Sequence, residues 1–321
     1  EGAARAPENV DLQITLARTE SARGNHAAAR KRLESLLSSE PSKRSASESG
    51  LVFQLSRIEY ANGDTDQAIQ LAEEALELSP TWLELRIFLT RVYLEESMNT
   101  QALELVQETA ALNESSLAAQ FMLGEVLEKI DKMEEALIHY KTMKRRALFN
   151  AVVLRQVAES FIRLKAWTAA DNSLYRALQL EPAHLATRLN HIKVLINLQH
   201  NEEAFTDANT LLAEQPDIAS AYIYRATALR RMGRSGEAGR DQQKAAQLEP
   251  TNDLYVLGAF RSLLSDRKLA QAEALISKAL GQERDTPLLA FSYSGFLITA
   301  QRWQDAENLL RPAVVRWPNN P

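Results

Sequence analysis

The sequence predicts an all-α protein, a solenoid of about nine helix-turn-helix units. Three observations carry this. An alanine returns every 34 residues, at Ala68, Ala102, Ala136, Ala170, Ala204, Ala238, Ala272 and Ala306, with Ala29 lying 39 residues before Ala68. A small residue recurring at a fixed interval over most of a chain marks a repeat array. Glycine and proline are scarce, 11 and 10 in 321 residues, so the chain is built for helices with short connections. Proline is also placed periodically, in register with the alanines.

With Val10 as position 1, later units begin near residues 49, 83, 117, 151, 185, 219, 253 and 287, and a single array spans 1–321. Position 20 is then always the recurring alanine. Position 32 is Pro41, Pro80, Pro182, Pro216, Pro250 and Pro318, with Glu114, Leu148 and Arg284 in the other three units. Position 8 is usually small, as in Ala17, Ser56, Thr90, Gly124, Ala158, Ala226 and Ser294, and position 11 is apolar from Tyr93 onward. Apolar residues at positions 7, 11, 20, 24 and 28 follow helical three-and-four spacing. Positions 14 to 16 break it, as in Arg23-Gly24-Asn25, Asn62-Gly63-Asp64 and Met232-Gly233-Arg234. Glycine there suits the left-handed residue that ends the first helix, and the polar residue after it suits the cap of the second. Small residues at 8 and 20 allow the two helices of a pair to close tightly. Proline at 32 cannot continue the second helix. Each pair leaves an apolar face for the next pair to cover.

The pattern resembles the tetratricopeptide repeat, a 34-residue unit with small residues at the helix crossing and proline at its end. The resemblance covers nearly the whole chain, although the leading tryptophan of the family pattern is missing from every position 4. It implies a right-handed superhelix with the first helices lining a concave groove. The one irregular spacing places five extra residues within Ser42–Ser47, read as an insert loop over 42–47. Residues 1–9 read as the end of a preceding repeat, with Pro7 at position 32 of that unit, and Trp317–Pro321 completes the ninth. An internal piece of a longer array, belonging to a parent protein with further domains, is the expectation.

Composition excludes several function classes. Net charge is −5, which gives no global attraction to nucleic acid. The absence of cysteine removes disulfides, thiolate metal sites and a cysteine nucleophile. It suits an oxidising compartment such as the periplasm and occurs in cytosolic proteins as well. No run of apolar residues is long enough to span a membrane. There is no phosphate-binding glycine loop, no H-E-x-x-H and no G-x-S-x-G, so no enzyme chemistry, cofactor or metal is expected. His191 and Arg225 stand at position 7, where leucine is usual, and Asp207 and Asp241 stand at position 23 of the same two units. A buried charge needs a partner, so His191 is expected to pair with Asp207 and Arg225 with Asp241.

The groove is where partner chemistry is sought. The resemblance places positions 2, 5, 9, 12 and 13 on it. Position 9 reads Arg18, Arg57, Arg91, then Glu125, Glu159, then Lys193 and Arg261 among others, basic at first, acidic in the middle and basic again. Arg18, Arg57 and Arg91 lie among Phe53, Tyr60, Ile87 and Leu94, and arginine with aromatic neighbours is the usual anchor of an interface. These seven residues are the candidate site, for a protein or extended peptide with acidic side chains. Ile14 with Arg18, and Phe53 with Arg57, do not match the Lys/Asn pair of the family's carboxylate clamp for chaperone tails. Position 6 holds one asparagine, Asn190, against the asparagine ladder of sugar-transferring arrays. The expected function is a non-enzymatic scaffold, of the kind that resemblance to bacterial exopolysaccharide-export arrays implies, recruiting periplasmic enzymes to a secretion machine. The alternative is the substrate-selecting arm of an enzyme whose catalytic domain lies outside this chain.

Overall fold

A computed structural model describes residues 7–37, 44–281 and 286–316. Among them the chain forms eighteen α-helices and no strand. In chain order the pairs are α1 Pro7–Ala22 with α2 His26–Glu34, α3 Ser49–Asn62 with α4 Thr65–Leu78, α5 Leu83–Glu95 with α6 Asn99–Leu112, and α7 Leu117–Lys129 with α8 Met133–Arg146. There follow α9 Ala151–Arg163 with α10 Trp167–Leu180, α11 Leu185–Asn197 with α12 Asn201–Glu214, and α13 Ala219–Arg231 with α14 Ser235–Leu248. The last are α15 Asp253–Ser265 with α16 Leu269–Leu280, and α17 Pro287–Thr299 with α18 Trp303–Arg316. The helices fall into two compact units, Glu1–Met143 and Lys144–Pro321.

The recurring alanine is the contact at which each pair closes. Ala29, Ala68, Ala102, Ala136, Ala170, Ala204 and Ala272 are 0% exposed, and Ala238 and Ala306 are 3%. Position 8 of the first helix faces it. There Ser56 donates its hydroxyl hydrogen to the Ala68 carbonyl oxygen at 2.6 Å, which satisfies a group that burial would otherwise strand. Gly124 at the same position admits the ring of Tyr140, which is fully buried and whose hydroxyl donates to Glu128 at 2.7 Å. A Cβ on Gly124 would sit 2.3 Å from that ring.

The turn between the helices of a pair is the same in all nine repeats. Position 15 adopts positive φ at Gly24, Gly63 and Gly233, as glycine there leads one to expect, and equally at Ser97, Asp131, Lys165, Gln199, Arg267 and Gln301. The next residue then donates its backbone N–H to the carbonyl five positions back, as in Asn25 to Glu20, Ala166 to Phe161 and Lys268 to Leu263, at 2.8–2.9 Å. This is the Schellman closure, which satisfies end-of-helix carbonyls. The expected side-chain cap on the second helix is present at Asp64, which accepts from the Gln67 N–H at 3.2 Å, and absent at Asn25 and Arg234. The backbone closure alone fixes those two entries.

Three details of the ends and the insert differ from expectation or refine it. Helix α1 begins at Pro7, so residues 7–9 are helical and continuous with the first helix. Proline suits a first helical turn, where its missing N–H has no partner to lose. Residues 42 and 43 of the insert, with Pro41, Arg284 and the Trp317–Pro321 segment, lie outside the described residues. The rest of the insert leads into a 3-10 turn, Ala46–Glu48, closed by a capping box between Ser45 and Glu48. Arg44 ties it to α4 by two hydrogen bonds to Glu74, at 2.7 and 2.8 Å.

Candidate functional site

The seven candidate residues divide between core and surface. Arg18 is on α1, Phe53, Arg57 and Tyr60 are on α3, and Ile87, Arg91 and Leu94 are on α5, all in the N-terminal unit. Phe53 is 1% exposed and belongs to the core, which corrects its place among partner-binding residues. Its ring stands edge-on to Trp82 at 5.0 Å and to Phe88 at 5.3 Å, and Phe88 in turn meets Tyr60 at 5.8 Å. Trp82 and Phe88, at positions 34 and 6 of adjoining repeats, claim the face of Phe53 that a partner would need. Sequence reasoning missed them because neither position 34 nor position 6 was counted among the groove positions.

What remains outside is a polar face over this aromatic row. The Arg57 guanidinium lies 5.8 Å from the Phe53 ring centroid, a cation–π distance, and 3.5 Å from Glu84. The Tyr60 hydroxyl donates to Glu95. Ile87 and Leu94 are half-buried against the core, with an edge left to solvent. Arg18 and Arg91 are exposed, and neither has a hydrogen bond or ion pair among the described residues. The structure thus joins Arg57, Tyr60 and the α5 residues through Glu84, Glu95 and Phe88, and leaves Arg18 and Arg91 as the two open cations.

Charged side chains at core positions of the repeats are paired. The two pairings expected at position 7 are present. His191 Nδ1 lies 3.0 Å from Asp207 Oδ2, and Arg225 donates from Nε and Nη2 to the two Asp241 oxygens, both at 2.8 Å. Each basic group also has a second partner that spacing within one repeat did not reveal. His191 Nε2 is 3.1 Å from Asp171 on α10, and Arg225 Nη1 donates to Asn209 on α12 at 2.8 Å. These side chains clamp three successive helices. Donating these hydrogen bonds to Asp241 holds the Arg225 guanidinium above its ordinary pKa. Glu59, at position 11 where later repeats carry an apolar residue, is 1% exposed. Burial raises its pKa, and the Arg30 guanidinium at 3.3 Å only partly offsets this. Among the described residues no cluster of three or more His, Asp or Glu could hold a metal, and no helix is long and apolar enough to cross a membrane.

Comparison with known proteins agrees with this architecture. Residues 14–81 match the tetratricopeptide repeat family model, and residues 61–143 match that of the anaphase-promoting complex, cyclosome, subunit 3. BBSome complex member BBS4 of Bos taurus is 26% identical over 243 residues, 76% of this chain and 46% of that protein. The STIP1 homolog of Dictyostelium discoideum is 30% identical over 88 residues, 27% of this chain and 16% of that one. The chain therefore spans less than half the length of either relative. Among solved structures, the C-terminal part of a TPR repeat-containing protein from Cytophaga hutchinsonii superposes with a TM-score of 0.56 at 14% identity, covering 76% of this chain and 98% of that one. A tetratricopeptide repeat protein from Parabacteroides merdae gives 0.51 at 16%, covering 75% and 95%. The fold is the α-solenoid of tetratricopeptide repeats.

Proposed function

We propose that this chain is a protein-interaction scaffold that holds a protein or extended peptide against the first helices of its N-terminal unit, α1, α3 and α5. The observation that carries the reading is Arg91, exposed and unpartnered beside the apolar edges of Ile87 and Leu94 on the same helix, with Arg18 likewise exposed and unpartnered on α1. An exposed arginine without an internal partner has its donors free for a carboxylate, and the adjacent apolar edges add area to a contact. The partner segment that suits this face carries acidic residues spaced along an extended backbone, with small apolar residues between them. Glu84 and Glu95 engage Arg57 and Tyr60, so these two groups act by positioning while Arg18 and Arg91 make the contact. The narrower assignment, recruitment of periplasmic enzymes to an exopolysaccharide secretion machine, has in its favour the cysteine-free composition and the long periodic array.

A photo-crosslinking side chain placed at Arg91 tests the reading. A partner is expected to be captured from position 91 and not from exposed Glu104 on α6. Capture from Glu104 alone would move the binding face to the second helices.

A further inference from the structure

The seam between α10, α11 and α12 in the C-terminal unit holds a cavity of about 360 Å³. This lies within the range of ligand-sized pockets, roughly 300–1,000 Å³. Its apolar walls are Leu178, Pro182, Ala183 and Ile192, and Arg188 of α11 with Asp207, Thr210 and Glu214 of α12 complete its lining. In two other repeats the chain itself fills the corresponding seam. The residue at position 4 of the first helix does this, by donating to the carbonyl of the proline that ends the preceding repeat. In repeat 3 it is Arg86, whose Nε donates to the Pro80 carbonyl at 2.5 Å while Nη1 lies 3.4 Å from Glu108. In repeat 7 it is Tyr222, whose hydroxyl donates to the Pro216 carbonyl at 3.0 Å.

Repeat 6 has the right residue but not the contact. Position 4 is Arg188, and its guanidinium turns to Glu214 at 2.5 and 3.4 Å. Among the described residues no donor reaches the Pro182 carbonyl. Asp207 gives one oxygen, Oδ2, to His191, and its other oxygen has no hydrogen-bond partner there. Its side chain is 43% exposed. Two residues of the cavity lining, Pro182 and Asp207, therefore each carry an acceptor without a partner among the described residues, a carbonyl and a carboxylate oxygen.

We propose that this cavity is a receptor for an arginine side chain of a partner protein. The aliphatic stem lies along Leu178 and Ile192, and the guanidinium donates to the Pro182 carbonyl and to Asp207. The guest does in trans what Arg86 does within repeat 3. A guanidinium suits the site better than a phenol, because a phenol has one hydrogen to give and the site presents two acceptors, one of them charged. The site is separate from the α1–α3–α5 face and does not depend on it.

The test is an NMR titration of the whole chain with N-acetyl-arginine amide, with the tyrosine amide as competitor probe. Saturable shifts are expected at Ala183, Ile192 and Thr210. Asp207→Asn, which removes the charge, and Ala183→Phe, which blocks the slot, should each weaken them by about tenfold or more, the scale of a lost charge-assisted hydrogen bond. Ala183→Phe leaves the His191 clamp untouched and places at position 33 the residue type that repeat 4 carries there as Phe149. It therefore guards against a folding defect in Asp207→Asn. Absence of saturable shifts, shifts unchanged in both variants, or tighter binding of the tyrosine amide would overturn the proposal.

Discussion

At the scale of single residues, the strongest constraint is how close two helices of a pair come. Gly124 sits under Tyr140 with no room for a methyl group. Gly124→Ala should therefore cost about 1–3 kcal/mol through overpacking, even though alanine is the better helix former. Chemical denaturation of the two proteins checks this. Glu59 gives a prediction of the opposite sign. Its pKa is raised by burial in the folded state. The protein consequently gains stability from Glu59 when it is protonated, below the ordinary carboxylate range, and loses that gain as pH rises through the raised folded value. Glu59→Gln should raise the melting temperature at pH 7, and the difference should shrink toward zero near pH 3. A lower melting temperature for Glu59→Gln at pH 7 would mean that the Arg30 pair dominates instead.

At the scale of elements, the turn between paired helices shows what a sequence can and cannot reveal. Gly24, Gly63 and Gly233 declare their left-handed backbone, because glycine takes it without a steric penalty. Lys165 and the other five side-chain-bearing residues at position 15 take it too, held by the 6→1 closure and the packing of the two helices around it. Local propensity contains no sign of that; the tertiary frame imposes it. Lys165→Gly should relieve the strain and stabilise the protein by up to about 1 kcal/mol, read as a higher denaturant midpoint with unchanged slope. The same contrast runs through the polar clamps. The His191–Asp207 and Arg225–Asp241 pairs were legible because both members lie in one repeat. Asp171 and Asn209 were not, since they reach in from the preceding second helix. Periodicity identifies which residues face a seam without saying which neighbours meet across it.

At the scale of the molecule, the repeat frame and the candidate site were legible to different degrees. Small residues at positions 8 and 20 announce themselves, because they recur in seven and in all nine units under the same packing demand. A binding face has no such repetition. Position 9 correctly pointed to exposed cations at Arg18 and Arg91, yet position 5 misled at Phe53, because Trp82 and Phe88 close over it in this one place. The frame residues make the fold, and the residues that vary around it are left for partners. That division is the central claim, and a calorimetric titration tests it most directly. The partner captured at position 91 is titrated into the native chain and into the double variant Arg18→Glu with Arg91→Glu. The account predicts affinity lower by about tenfold or more, through loss and reversal of charge at the contact, with the thermal midpoint unchanged. Equal affinity for both proteins would contradict it and place the function elsewhere than on the first helices of the N-terminal unit.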